Sequence, residues 1–253
     1  MLVSGTIQIN PDGSVRQYTM DHADKIPGIV LFVIKQTVPA WRFHVDTAHN
    51  VIAKAKMSIR VVAKPANGNK MDFSVEGVSF DEADEPASTR VTERHVSSPV
   101  YPKQAMQEFA SATVYMLARI GHDGHVVDLA PEQVNFTRPI ERNVMPEMAK
   151  LFIASTKAAM RRWTFAVPTT GPEADAAFWI ARVPVAFNIE TYYDAPKTTA
   201  YGSWQPYLAG PRLPAPPWFN DGSGLASAPD AIPEQGIVPL HNALRLTGSD
   251  HGP

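Results

Sequence analysis

The chain has 253 residues, of which 44% are hydrophobic and 19% charged, with a formal net charge of -2. That is enough apolar material for one large or two small packed domains, and the composition is not that of a disordered chain. The near-neutral balance leaves no electrostatic footprint for nucleic acid or an anionic membrane surface, and the absence of cysteine excludes thiolate catalysis, thiolate metal sites and disulfides.

Taken in order, Gly5-Thr6-Ile7-Gln8-Ile9 alternates as a strand and Asn10-Pro11-Asp12-Gly13 is a turn signal. Ser14 to Met20 reads as the returning strand. Asp24 and Pro27 suit a helix start, but Ile29 to Ile34 is β-branched enough to be a buried strand instead, and Pro39 ends either one before Trp41-Arg42-Phe43. Met57 to Val61 alternates, Asn67-Gly68 turns the chain, and Asp72 to Phe80 alternates back. Asp81 to Ser88 reads as a charged linker.

Beyond it, Pro99-Val100-Tyr101-Pro102 precedes a short helix, Lys103 to Ala110, and Thr113 to Ile120 is a strand. Gly121-His122-Asp123-Gly124 turns into a returning strand, His125 to Leu129. Residues 131–144 then read as an insertion before a helix that follows Pro146, with Met148, Leu151, Phe152, Ser155 and Ala159 on one face. Trp163-Thr164-Phe165 closes it. In the strand Ile180 to Ile189, Ala181, Val183, Val185, Phe187 and Ile189 point one way and Arg182, Pro184, Ala186 and Asn188 the other. Pro184 has no N–H, so one side of this strand is expected to be unpaired.

The two halves share an order: strand, Asp-Gly turn, strand, helix, Trp-x-Phe, loop, alternating strand. Asp12-Gly13 corresponds to Asp123-Gly124 and Trp41-x-Phe43 to Trp163-x-Phe165, a pattern that duplication explains. Residues 98–190 resemble the C-terminal domain of the TonB family of periplasmic energy-transducing proteins. The resemblance rests on Tyr101-Pro102 with Ala105, the Asp123-Gly124 hairpin, Ala159-Met160-Arg161-Arg162-Trp163-Thr164-Phe165 and the strand Val183 to Ile189. The first half is similar only in its hairpin, Trp41-x-Phe43 and last strand.

The resemblance implies an α+β protein: two small TonB C-terminal-like domains, residues 1–85 and 95–192. Each would be an antiparallel sheet of three or four strands packed on helices. It also implies partner binding by strand addition at a sheet edge. Tyr101, Pro102, Arg182, Val183, Pro184, Val185 and Phe187 are the expected partner-binding residues; Trp41, Phe43, Trp163 and Phe165 are the expected structural core. The periplasm is the expected compartment. No signal peptide is readable near Met1, so any targeting segment is expected to be absent from these residues, and the longest apolar run, 28–34, is far below the roughly 20 residues of a membrane span.

Residues 193–253 hold ten prolines, but Tyr201, Trp204, Tyr207, Trp218 and Phe219 lie among them, so an ordered tail packed on both domains is expected. Gly236 to Leu246 could supply a strand.

No catalytic constellation is readable. His122 and His125 lie on a turn, and His44 and His49 near Asp46 read as surface residues. Asp81-Glu82 and Asp84-Glu85 lack the glycine and terminal Glu of a calcium loop. No Gly-rich phosphate loop or nucleophile elbow exists. The expectation is a non-enzyme without metal or cofactor, whose partner is a cell-envelope protein, namely an outer-membrane receptor segment. The alternative is an immunity protein that neutralises a secreted effector enzyme.

Overall fold

The computed structural model describes residues 1–45, 52–82, 86–189, 200–219, 228–233, 236–240 and 244–249. Asp46, His49, Asp84 and Glu85, named above, lie outside the described residues. The fold is α+β, with mostly antiparallel sheets and few helices.

In chain order, β1 (Leu2–Ile9) and β2 (Val15–Met20) form the first hairpin, followed by α1 (Gly28–Thr37). The β-branched run is therefore a helix, with Val30 and Ile34, four residues apart, buried on one face. Next come β3 (Trp41–Val45), β4 (Ala53–Pro65) and β5 (Met71–Glu82), so the acidic start of the expected linker is strand. The first sheet has the order β2-β1-β4-β5, antiparallel throughout.

The second half contains β6 (Thr92–His95), α2 (Lys103–Gln107), β7 (Ala112–Ile120), β8 (Val126–Phe136), α3 (Met145–Met160), β9 (Thr164–Ala166) and β10 (Trp179–Phe187). The tail adds β11 (Leu208–Ala209), β12 (Val238–Pro239) and β13 (Leu244–Ser249). The second sheet has the order β11-β8-β7-β10-β12, while β13 pairs with β3 and β6 with β9.

One expectation is overturned in β8. The strand runs straight through Pro131, where an insertion was expected. Tyr115 pairs with Gln133 and Met116 with Pro131, so Glu132 is the extra residue of a bulge. A bulge turns one side chain out of the regular alternation, and here it is Glu132 that is re-aimed.

Each sheet carries its own core. Met57, Ile59, Val61, Val30, Ile34 and Trp41 anchor one; Val114, Met116, Phe152, Trp163, Val183 and Phe187 anchor the other. In α3 the fully buried polar residue is Thr156, not Ser155, and Leu151 is half-buried.

The likeness of the two halves is visible atom by atom. The Asp12 carboxylate accepts the Ser14 N–H at 2.9 Å, and the Asp123 carboxylate accepts the His125 N–H at 3.0 Å. Phe43 N–H donates to the Gly13 carbonyl at 2.9 Å, and Phe165 N–H to the Gly124 carbonyl at 2.8 Å. Both glycines have positive φ, 80° and 78°, and a Cβ on either would lie 2.1 or 2.2 Å from the matching Phe carbonyl oxygen. The Asp-Gly turn and the Trp-x-Phe strand are thus one joint, made twice, and only glycine permits the close approach.

Candidate functional site

Strand β10 is the place to ask which main-chain groups remain available. Leu240 N–H donates to the Ile180 carbonyl at 3.0 Å, and Arg182 stands opposite Val238. A strand's polar groups alternate sides, so Ile180, Arg182, Pro184 and Ala186 all direct N–H and C=O away from β7. Pro239, opposite Ala181, falls at a position that donates no ladder bond, which is why a proline fits there.

Beyond Arg182, no strand among the described residues pairs with this side of β10. The open stretch offers the Pro184 carbonyl and both polar groups of Ala186, whose side chain is exposed. The expected edge is therefore half covered by the chain itself.

The side chains of the expected binding residues are engaged elsewhere. Val183, Val185 and Phe187 are buried in the second core, and Pro184 is buried on the opposite face. Arg182 is 1% exposed. Its Nε and Nη2 bind the two oxygens of Glu132 at 2.6 and 2.7 Å, a bidentate pair reaching from β10 across β7 to the bulge. Tyr101 donates its hydroxyl to the Ala110 carbonyl, and its ring meets those of Phe187 and Phe152 edge-on at 5.6 and 5.8 Å. Burial pushes its pKa up. Pro102 is half-buried and starts α2, its carbonyl accepting the Met106 N–H at 3.0 Å. Of these seven residues, only Arg182 and Pro184 turn main-chain groups toward the outer edge of β10.

Trp41, Phe43, Trp163 and Phe165 are all buried. Trp163 Nε1 donates to the Ser97 carbonyl at 2.9 Å, while Trp41 Nε1 has no partner among the described residues. Trp41, Phe43 and Phe80 form an edge-to-face cluster with centroids 5.1 to 6.4 Å apart.

The second face of the β7–β10 sheet is covered by the tail. Tyr115, Ile232 and Val238 cluster there. Asp230 sits between the two sheets: Asn135 donates to its carboxylate at 3.1 Å, and Arg60 Nε donates to its carbonyl at 2.9 Å. Ser79 donates to the Ala231 carbonyl at 2.7 Å. Tyr207 lies by the same joint, with the Arg60 guanidinium 5.6 Å from its ring centroid. Burial, then the neighbouring Asp230 charge, push the Tyr207 hydroxyl up to about 12.

Glu132, Asp230, Arg60 and Tyr207 escape the sequence reading because they meet through pairings more than 70 residues apart or through a bulge. His122 packs edge-on against Trp179 at 4.9 Å, and no group of three metal-ligating side chains occurs among the described residues. No helix among them is long and apolar enough to cross a membrane.

No protein-family model, curated protein or solved structure matches the chain. The internal copy is therefore the comparison that bears on the site. Ile9 and Ile120 each precede a turn and pair with Ala53 and Trp179, which sets β4 residue by residue on β10. Lys56 then matches Arg182, Ser58 matches Pro184 and Arg60 matches Ala186. Along β4 this outer edge is filled from Ala55 to Pro65 by β5. Along β10 the same slot holds only β12, with Val238 where Asp81 stands and Pro239 where Glu82 stands.

Proposed function

We propose that this chain is a non-catalytic protein-binding module that receives an extended segment of a partner protein at the outer edge of β10. One observation carries it: the fourth-strand slot is completed by β5 in the first sheet and by a two-residue stub in the second. Sheet edges bind extended peptides through main-chain bonds, with alternate side chains giving specificity. In β5, Val75, Val78 and Phe80 face the core opposite Val61, Ile59 and Met57. The equivalents on β10 are Phe187, Val185 and Val183; Ile237 already falls at the last, so the incoming strand should place apolar residues opposite Val185 and Phe187.

The motifs in residues 98–190 support reading the second sheet as a TonB C-terminal-like domain and the first as a degenerate copy, and with it a cell-envelope partner in the periplasm. Ala186→Pro tests the proposal, because it removes an outward N–H from an exposed edge position and leaves the core side chains alone. A photo-crosslinker at the exposed Val127, away from this edge, serves as control. With periplasmic extract and a crosslinker at the exposed Asn188, the expected adduct is an extended segment of one envelope protein, lost at least tenfold when Ala186 is proline. Undiminished capture by a folded Ala186→Pro chain refutes the edge.

A further inference from the structure

The opposite edge of the second sheet holds a different feature. The tail runs along β8 there, with Gly210 N–H donating to the Val134 carbonyl at 3.0 Å and Leu213 N–H to the Glu132 carbonyl at 2.8 Å. A Cβ at Gly210 would lie 2.3 Å from the Val134 oxygen, so the tail hugs the strand as only glycine allows. Helix α3 covers the core face of β7 and β8. Tail and helix therefore stand as two walls over a common floor.

Between them lies a groove of about 630 Å³, within the range of roughly 300 to 1,000 Å³ usual for small-molecule sites. Val134 and Phe136 form its floor, Ala149 and Ile153 the helix wall, and Leu208 and Leu213 the tail wall. Arg142 and Lys150 are its charged lining residues, and no Asp or Glu lines it. Both are exposed, and neither makes an ion pair among the described residues. Arg142 and Lys150 thus give the apolar trough a positive rim with no acidic lining residue to neutralise it.

We infer that this groove binds a free long-chain fatty acid, with the hydrocarbon chain along Phe136, Ala149 and Ile153 and the carboxylate between Arg142 and Lys150. The apolar walls remove a hydrocarbon chain from water, and the paired cations select a negative head group by charge-assisted hydrogen bonds. A nucleotide or sugar would find few polar partners on these walls. The site lies across the sheet from the open edge of β10 and does not depend on that edge binding anything.

The test uses the full chain and cis-parinaric acid, a fluorescent polyene fatty acid, displaced by monomeric oleate. Oleate should displace the probe, and oleyl alcohol should do so at least tenfold more weakly. Arg142→Gln and Lys150→Gln, both surface changes, should each weaken oleate about tenfold, the worth of one charge-assisted contact. Ala149→Phe should fill the groove and abolish binding, with circular dichroism confirming that the variant is folded. The inference is overturned if the probe does not bind, if the alcohol competes as well as oleate, or if folded Ala149→Phe binds undiminished. Binding to phosphatidylglycerol vesicles without binding of free oleate overturns it too, since the occupant would then be a membrane lipid.

Discussion

Replacing Arg182 with alanine separates a structural cation from a recognition residue. Arg182 and Glu132 side chains are 2% and 10% exposed, with the closest N–O distance 2.6 Å. At an effective dielectric of about 20, unit charges about 4 Å apart attract by about 4 kcal/mol. Each ion also gave up several kcal/mol of hydration on burial, so the intact pair contributes little net stability. The asymmetry lies in breaking it: Arg182→Ala strands a buried carboxylate and should cost about 3–5 kcal/mol, a large part of the roughly 5–15 kcal/mol that holds a domain together. Arg182→Met combined with Glu132→Leu should recover to within about 1 kcal/mol of the parent, because packing is kept and no charge remains. Urea unfolding followed by tryptophan fluorescence reads both, with Trp179 at the start of the same strand. A loss below about 1 kcal/mol for Arg182→Ala refutes the buried-charge argument. Loss of partner capture in a stable double variant would make Arg182 a contact residue after all.

Alanine at Gly13 or Gly124 should each cost at least about 2 kcal/mol, since a left-handed backbone and a clash with a carbonyl oxygen add. Gly68, with φ 73° and open space around its would-be Cβ, is the control and should lose only about 1 kcal/mol in the same thermal unfolding series. Gly210→Ala should lift the tail off β8, read as rapid tryptic cleavage at Arg212 in a chain whose two cores still unfold cooperatively. Tyr207 gives a pH signature. Its folded pKa, about 12, lies above the ordinary value of 10.0, so its stabilising contribution is complete below pH 10 and is lost as pH rises toward 12. Partial exposure reduces the full two-unit value to roughly 1–2 kcal/mol. Tyr207→Phe should flatten that alkaline loss, and an unchanged pH profile in this variant would remove the assignment.

What could be read from sequence was local, and what could not was long-range. The Asp-Gly turns and the Trp-x-Phe pairs recur because a glycine with positive φ and a Phe carbonyl must meet, and both halves of that contact are short motifs. Ile29 to Ile34 was ambiguous by composition; the four-residue spacing of Val30 and Ile34 against the sheet makes it helix. Pro131 hid the second half of β8, because a proline followed by Glu132 and Gln133 reads as loop, and only the pairing with β7 shows that the strand survives it beside a bulge. The tail strands β11 and β12 have two residues each, too short for any periodicity. Their existence depends on edges formed more than 50 residues earlier.

The two copies of the sheet treat one edge differently, and side-chain size explains why one occupant is permanent. In the first sheet Phe80 is buried in the cluster with Trp41 and Phe43, so β5 is held by aromatic packing as well as by its ladder. The matching position in the second sheet falls to Ile237, which is smaller and only half-buried against its core. A two-residue pairing then leaves Pro184 and Ala186 facing outward. An open edge invites promiscuous pairing, and a proline in it removes a donor that any passing strand could use. Pro184 therefore blunts the edge toward arbitrary strands, while the Ala186 groups and the apolar pair Val185 and Phe187 would still reward a strand of matching register. An edge closed by β5 in one copy, and only blunted in the other, is the asymmetry on which the proposed strand addition rests.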